Sequence, residues 1–149
     1  MILDKCITLP EGTSWPSNFE GDYGSGGYIP AWYAVQQSKN TTAVRMAQVL
    51  GIDTCFNFLT DKLNVTTLDY TYDKAYSPIA LGQLTQGMTL MELAGAYQIF
   101  GSGGVYYEPK LYNLITDYND KTVIEQEPLG DRVMESDSAY ITNRLLKAV

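Results

Sequence analysis

The 149-residue chain has no histidine, so the commonest general base and metal ligand near neutral pH is missing. It has two cysteines. Cys6 and Cys55 are too few for a disulfide framework and stand in no Cys-x-x-Cys spacing. Two isolated thiols without an imidazole argue against a zinc site or a Cys/His nucleophile, and no metal or cofactor is expected. Basic residues are also scarce: 10 Lys+Arg against 17 Asp+Glu give a net charge of -7. Without a basic run to neutralise phosphates, a nucleic-acid partner is disfavoured, and so is an anionic membrane surface. No stretch approaches the roughly 20 apolar residues of a spanning helix. The N-terminus lacks the basic start and apolar run of a signal peptide. No membrane contact is expected from this segment, and a parent protein working outside the cell would carry its anchor or targeting segment upstream.

What is present is an ordinary globular balance, 45% hydrophobic and 18% charged residues, far from the signature of disorder. Residues 8 to 30 are rich in Gly, Pro and Ser and read as an ordered, irregular loop pinned by its aromatic side chains. Pro30 suits a helix start, with Ala31, Ala34 and Val35 as a short apolar face. The pattern breaks at Ser38-Lys39-Asn40 and resumes with Val44, Ala47 and Leu50 up to Gly51. Asn40 is a good N-cap for this second helix. Asp53 suits the cap of a third, with Phe56, Leu59 and Leu63 as its buried stripe and an end near Asn64.

Residues 65 to 78 read as loop, Pro78 opposing continuation. Thr89-Leu90-Met91-Glu92 has the form of a capping box. Leu90, Leu93, Ala94, Tyr97 and Phe100 follow at helical spacing, and Gly101 should stop the helix. Val105–Tyr107 and Leu111–Tyr118 favour strand, with a hairpin turn at Asn119-Asp120 and a return through Val123-Ile124. A last helix should begin near Ser136 and turn Ala139, Tyr140, Leu145 and Leu146 inward. The sum is a helix-rich α+β arrangement with a small antiparallel hairpin.

Several segments, in order, resemble the transpeptidase domain of bifunctional, class A penicillin-binding proteins. They are Trp15-Pro16-Ser17-Asn18-Phe19; Ala34 through Val44, which holds Ser38-Lys39-Asn40; Leu81-Gly82; Thr89 through Tyr97; Phe100 through Tyr106; and Ile115-Thr116-Asp117. The resemblance implies the penicillin-binding protein and serine β-lactamase-like transpeptidase fold. It also implies a serine acyl-enzyme mechanism built from three motifs, related forms of which are Ser-x-x-Lys, Ser-Asp-Asn and Lys-Thr-Gly. Ser38-Lys39-Asn40 corresponds to the second.

On that resemblance Ser38 is the expected proton relay. Asn40 is expected to position substrate and the first motif's lysine, and Lys39 to point outward. The partners implied for the full-length parent are peptidoglycan stem peptides and β-lactams, at the extracytoplasmic face of the bacterial membrane. No serine here is followed by lysine three residues on. Residues 1–149 are therefore read as a single partial domain, a central segment lacking the Ser-x-x-Lys and Lys-Thr-Gly segments, inactive alone.

Blander readings stand beside these. Without its flanks, Ser38-Lys39-Asn40 is a helix-turn-helix linker with a capping asparagine. Thr71-Tyr72-Asp73-Lys74 and Lys121-Thr122-Val123 imitate the other two motifs but are rejected on residue type and order. Asn40-Thr41-Thr42 and Asn64-Val65-Thr66 fit a glycosylation pattern common by chance. Tyr106-Tyr107 is read as strand tyrosine rather than a glycan-stacking surface. Gly101–Gly104 follows a helix, the wrong end for a phosphate cradle. The competing functions are a non-catalytic binding or scaffold module and a β-lactamase or β-lactam sensor of the same fold.

Overall fold

A computed structural model describes all 149 residues. The α+β reading holds, but the strands form four separate antiparallel pairs in place of one late hairpin. Near the N-terminus β1 (Ile2–Leu3) pairs with β4 (Tyr28–Ile29), and β2 (Ile7–Thr8) with β3 (Ser14–Trp15). Between the ladders, Asp4 N–H donates to the Gly27 carbonyl and Cys6 N–H to the Tyr23 carbonyl, both at 2.9 Å. The approach needs glycine at Gly24, where φ is +93 and a Cβ would lie 2.5 Å from the Asp4 carbonyl oxygen.

Of the expected aromatic pins only Trp15 is half-buried: Phe19 is 95% exposed, and Tyr23 and Tyr28 face solvent. The link between β1 and β2 has backbone acceptors that need donors, and Arg45 supplies two, from Nε to the Lys5 carbonyl at 3.0 Å and from Nη2 to the Cys6 carbonyl at 2.8 Å.

Helix α1 (Ala31–Gln36) follows Pro30, and α2 (Asn40–Leu50) turns Thr41, Thr42, Val44 and Ala47 inward. Leu50, expected on that stripe, is exposed at the helix end. Helix α3 (Ile52–Asn57) continues as a π-helical turn over Phe58–Lys62 and stops where Asn64 takes φ 50. Asp53 does not cap it, because Gly51 stands at that position. Asp53 lies in the first turn, its carboxylate 2.7 Å from Lys74 Nζ.

The loop expected through Pro78 contains a further helix, α4 (Tyr76–Leu81), packed on α2. Proline is tolerated because Pro78 is the third helical residue, where no intrahelical N–H bond is due.

Helix α5 (Leu90–Gly101) begins with the expected capping box between Thr89 and Glu92. It buries Gly95 and Ile99, while Leu90 and Tyr97 stay largely exposed. Leu63, Val65, Ile99 and Tyr106 form the main core cluster, with Phe58, Phe100 and Met134 packed against it. Strand β5 (Val105–Tyr107) pairs with β8 (Gly130–Arg132), and β6 (Leu114–Thr116) with β7 (Thr122–Glu125) around the expected turn, where Asp120 has φ 62.

In α6 (Ser136–Leu146) Ala139 is fully buried, and Leu145 and Leu146 half-buried. Tyr140 points outward, because each helical residue turns the side-chain direction by about 100°, taking position 140 off the face that carries Ala139. Only 17 of the 149 residues are buried, and large apolar side chains such as Val49, Leu90 and Leu111 lie on the surface.

Candidate active site

The turn between α1 and α2 is built by backbone hydrogen bonds that close the end of α1. Ser38 N–H donates to the Val35 carbonyl and Lys39 N–H to the Ala34 carbonyl, each at 3.0 Å. This is the Schellman pattern, whose left-handed position is usually glycine. Here it is Ser38, with φ 49. A side chain in that conformation costs roughly 1–2 kcal/mol relative to its relaxed state, and such strain concentrates at functional sites.

Asn40 is not the N-cap of α2. Lys39 occupies that position without a side-chain cap bond, and Asn40 is the first helical residue. Its Nδ2 donates to the Ser17 carbonyl at 2.9 Å. A carbonyl can only accept, so this bond also fixes the amide's orientation, with Oδ1 turned away from Ser17. The capping role passes to a distant residue: Asn18 Oδ1 accepts the Thr41 N–H at 3.3 Å.

Lys39 does not point freely outward either. Its side chain is 12% exposed, and Nζ lies 3.3 Å from Glu20 Oε2 and 3.6 Å from Asp22 Oδ2. Burial works to lower the ammonium's pKa, but the hydrogen bond it donates to Glu20 and the charges of Asp22, Glu20 and Asp4 raise it overall. Asp4 lies beneath the turn. Burial works to raise its carboxyl, yet the Thr41 hydroxyl, the Ser25 groups and the Lys39 charge hold it below the usual carboxylate range.

Ser38 and Asn40 both line an open groove of about 530 Å³. Its walls are apolar: Ala34 and Val35 from α1, Met46 from α2, Leu81 from α4 and Tyr97 from α5. The structure thus brings an exposed hydroxyl and an oriented, half-buried amide to the mouth of one apolar-walled groove. That arrangement can hold a carbonyl and pass a proton over a short path.

The rejected look-alikes are occupied elsewhere. Asp73 is buried, its carboxylate accepting from Thr85 and from the Asp69 N–H. Lys74 pairs with Asp53. Thr122 belongs to β7. Tyr106 and Tyr107 are β5 residues, buried and half-buried, as expected.

The contributions of Asn18, Asp4 and Thr41 were not anticipated. Nothing in the sequence ties a carboxylate at position 4 to a hydroxyl 37 residues later. Only the presence of Asn18 inside the Trp15–Phe19 match hinted at a role.

Fold and site together define a helix-rich α+β domain with a Ser-x-Asn turn at an apolar groove. Residues 7–149 match the penicillin binding protein transpeptidase domain, and the chain belongs to that family. It is 33% identical over 146 residues to penicillin-binding protein 1A of Clostridium novyi, covering 97% of this chain and 16% of that protein. Among solved structures, penicillin-binding protein 1A from Haemophilus influenzae shares 26% identity with a TM-score of 0.63, covering 87% of this chain and 19% of that one.

The penicillin G acyl-enzyme complex of penicillin-binding protein A from M. tuberculosis has a TM-score of 0.77 at 15% identity, over 99% of this chain and 38% of that one. At that identity the likeness shows the fold. The chain spans less than a fifth of the length of the clostridial relative.

Proposed function

We propose that this chain is the central segment of a peptidoglycan D,D-transpeptidase domain, in which Ser38 and Asn40 serve a nucleophilic serine supplied by another part of the same domain. The nucleophile's oxygen attacks the D-alanyl-D-alanine amide of a stem peptide. Ser38 relays a proton to the departing nitrogen. Asn40 holds the substrate and the lysine beside the nucleophile through its free Oδ1 and remaining N–H. An amine from a neighbouring stem then resolves the acyl-enzyme, and β-lactams acylate the same serine by opening their ring amide. The reaction takes place at the extracytoplasmic face of the bacterial membrane, with the anchor elsewhere in the parent protein.

One observation carries this reading: a serine, not a glycine, holds the left-handed position of the α1–α2 turn, beside Asn40 at the mouth of the groove. A turn needed only for connection gains nothing from that strain. The exposed apolar area and the share of its relatives' length that the chain spans support reading it as part of a larger domain.

The test uses fluorescent penicillin with gel detection under denaturing conditions. The full-length parent should label covalently, its Ser38→Ala and Asn40→Ala variants should label more slowly, and the 149-residue chain should not label. Stable labelling of the chain alone would show that its nucleophile is present after all. Unchanged labelling of both variants would remove Ser38 and Asn40 from the mechanism.

A further inference from the structure

Beneath the Ser38–Asn40 turn lie three polar side chains that are almost fully enclosed: Asp4 and Asn18 at 3% exposure, and Thr41 at 0%. Thr41 Oγ1 donates to Asp4 Oδ1 at 2.6 Å, and the other carboxylate oxygen accepts the Ser25 N–H at 2.9 Å. A hydroxyl has one proton, and the shorter contact to the charged acceptor takes it. Asn18 Oδ1, 3.3 Å from that hydroxyl, accepts the Thr41 N–H instead. The Asn18 amide nitrogen donates to Asp22 Oδ1 at 2.7 Å.

Asp4 is itself held on both sides of its backbone. Its N–H donates to the Gly27 carbonyl at 2.9 Å, and its carbonyl accepts the Gly26 N–H at 2.8 Å. The carboxylate is therefore a fixed post. It braces the first turn of α2 through Thr41 and the 17–25 loop through Ser25. That loop touches the turn at two further points, the Ser17 carbonyl on Asn40 and the Glu20–Asp22 pair on Lys39.

A tether for the N-terminal segment alone could be apolar, because replacing a buried charge with packed hydrophobic groups is often neutral for stability. What an apolar contact lacks is direction. A charged, short hydrogen bond fixes where Thr41, and so its neighbour Asn40, must sit.

We propose that Asp4 is a positioning residue for the Ser38–Asn40 turn, acting through the Thr41 hydroxyl and, around the same cluster, Asn18. The proposal rests on the functional reading above. It assigns to a residue 34 positions before Ser38 the task of holding the motif within the tolerance that catalysis demands, where a misplacement of about 1 Å can cost on the order of a hundredfold in rate.

The test is made in the full-length parent with a β-lactam of measurable acylation rate, each rate normalised to the folded fraction. Asp4→Asn keeps the shape but turns an amide N–H toward either the Thr41 hydroxyl or the Ser25 N–H. Thr41→Val keeps the volume and removes the hydroxyl. Both should slow acylation by roughly ten- to a hundredfold, in the rate of the acylation step and not in the preceding binding constant. Thr41→Ser, which restores the hydroxyl, should recover most of the rate.

A merely structural role would lower the melting temperature of Asp4→Asn and Thr41→Val while leaving the normalised rate at the parent's value, and that result overturns the proposal. So does a failure of Thr41→Ser to recover the rate. If Thr41→Val does not fold, Asp4→Asn carries the test alone. Failure of the functional reading looks different: there Ser38→Ala and Asn40→Ala themselves leave acylation unchanged.

Discussion

Glu92 offers the most quantitative check on the physical reasoning. Its carboxylate accepts from five donors. Oε1 takes the Thr66 N–H at 2.7 Å and the Thr66 hydroxyl at 3.0 Å; Oε2 takes the Thr89 N–H and hydroxyl at 2.8 Å each and the Thr67 hydroxyl at 3.1 Å. One side chain thus closes the capping box of α5 and clamps the 64–67 strip onto it. Burial works to raise its pKa, but these hydrogen bonds outweigh that and lower it from 4.5 to about 2.

A tenfold change in acidity corresponds to about 1.4 kcal/mol, so the clamp is worth at most roughly 3.5 kcal/mol. Its rim is open to water, and screening reduces the expected contribution to about 2 kcal/mol. Because the folded carboxyl is the more acidic, the contribution is complete above about pH 5 and is lost as pH falls from the unfolded value of 4.5 towards 2.

Glu92→Gln removes the charge and points an N–H at either the Thr66 or the Thr89 backbone donor. Urea unfolding near pH 7, followed by tryptophan fluorescence, should show the variant less stable by about 2 kcal/mol. At about pH 3 the gap should shrink to less than half of that. Equal stability at neutral pH, or a gap that does not narrow in acid, would refute the assignment.

Two further outcomes follow from the backbone. Ser38→Gly should be neutral or stabilising by up to about 1 kcal/mol, because glycine accepts φ 49 without strain, whereas Ser38→Val should lose about 1–2 kcal/mol. Equal melting temperatures for the two would contradict the left-handed turn. Gly104→Ala should cost roughly 3 kcal/mol or more: φ is +90, and a Cβ would fall 2.1 Å from the Met134 carbonyl oxygen. A variant that unfolds at the same urea midpoint as the parent would show that β5 and β8 are not joined through Gly104.

Several elements were legible because their causes are local. Thr89 and Glu92 are three residues apart, and the capping box needs nothing else. Asp117 accepts from the Asn119 and Lys121 N–H groups, so the hairpin turn is written in its own five residues. The apolar spacing of Phe56 and Leu63 marks the inner face of α3 and its π-helical extension. Helix α4 was hidden because Pro78 is judged by its usual effect in a helix interior, and only the starting residue shows that it lies in the first turn. Gly130-Asp131-Arg132 has little strand preference of its own. It becomes β8 because Gly104 accepts the Val133 and Met134 N–H groups and brings the two segments together.

The candidate site divides in the same way. By itself the sequence marked the candidate residues: a Ser-x-Asn turn between two helices, in a chain whose ordered segments match a transpeptidase domain. Those facts depend on residue type and short spacing. The tertiary structure alone decided how the turn is held. Asn40 donates to the Ser17 carbonyl, while the Thr41 N–H at the start of α2 is taken by Asn18. Lys39 is drawn inward by Glu20 and Asp22, and Asp4 meets Thr41 across 37 residues. The physical reason is range: helix caps and turns satisfy backbone groups within a few residues, whereas a buried polar side chain takes whatever partner the folded chain brings within about 3 Å.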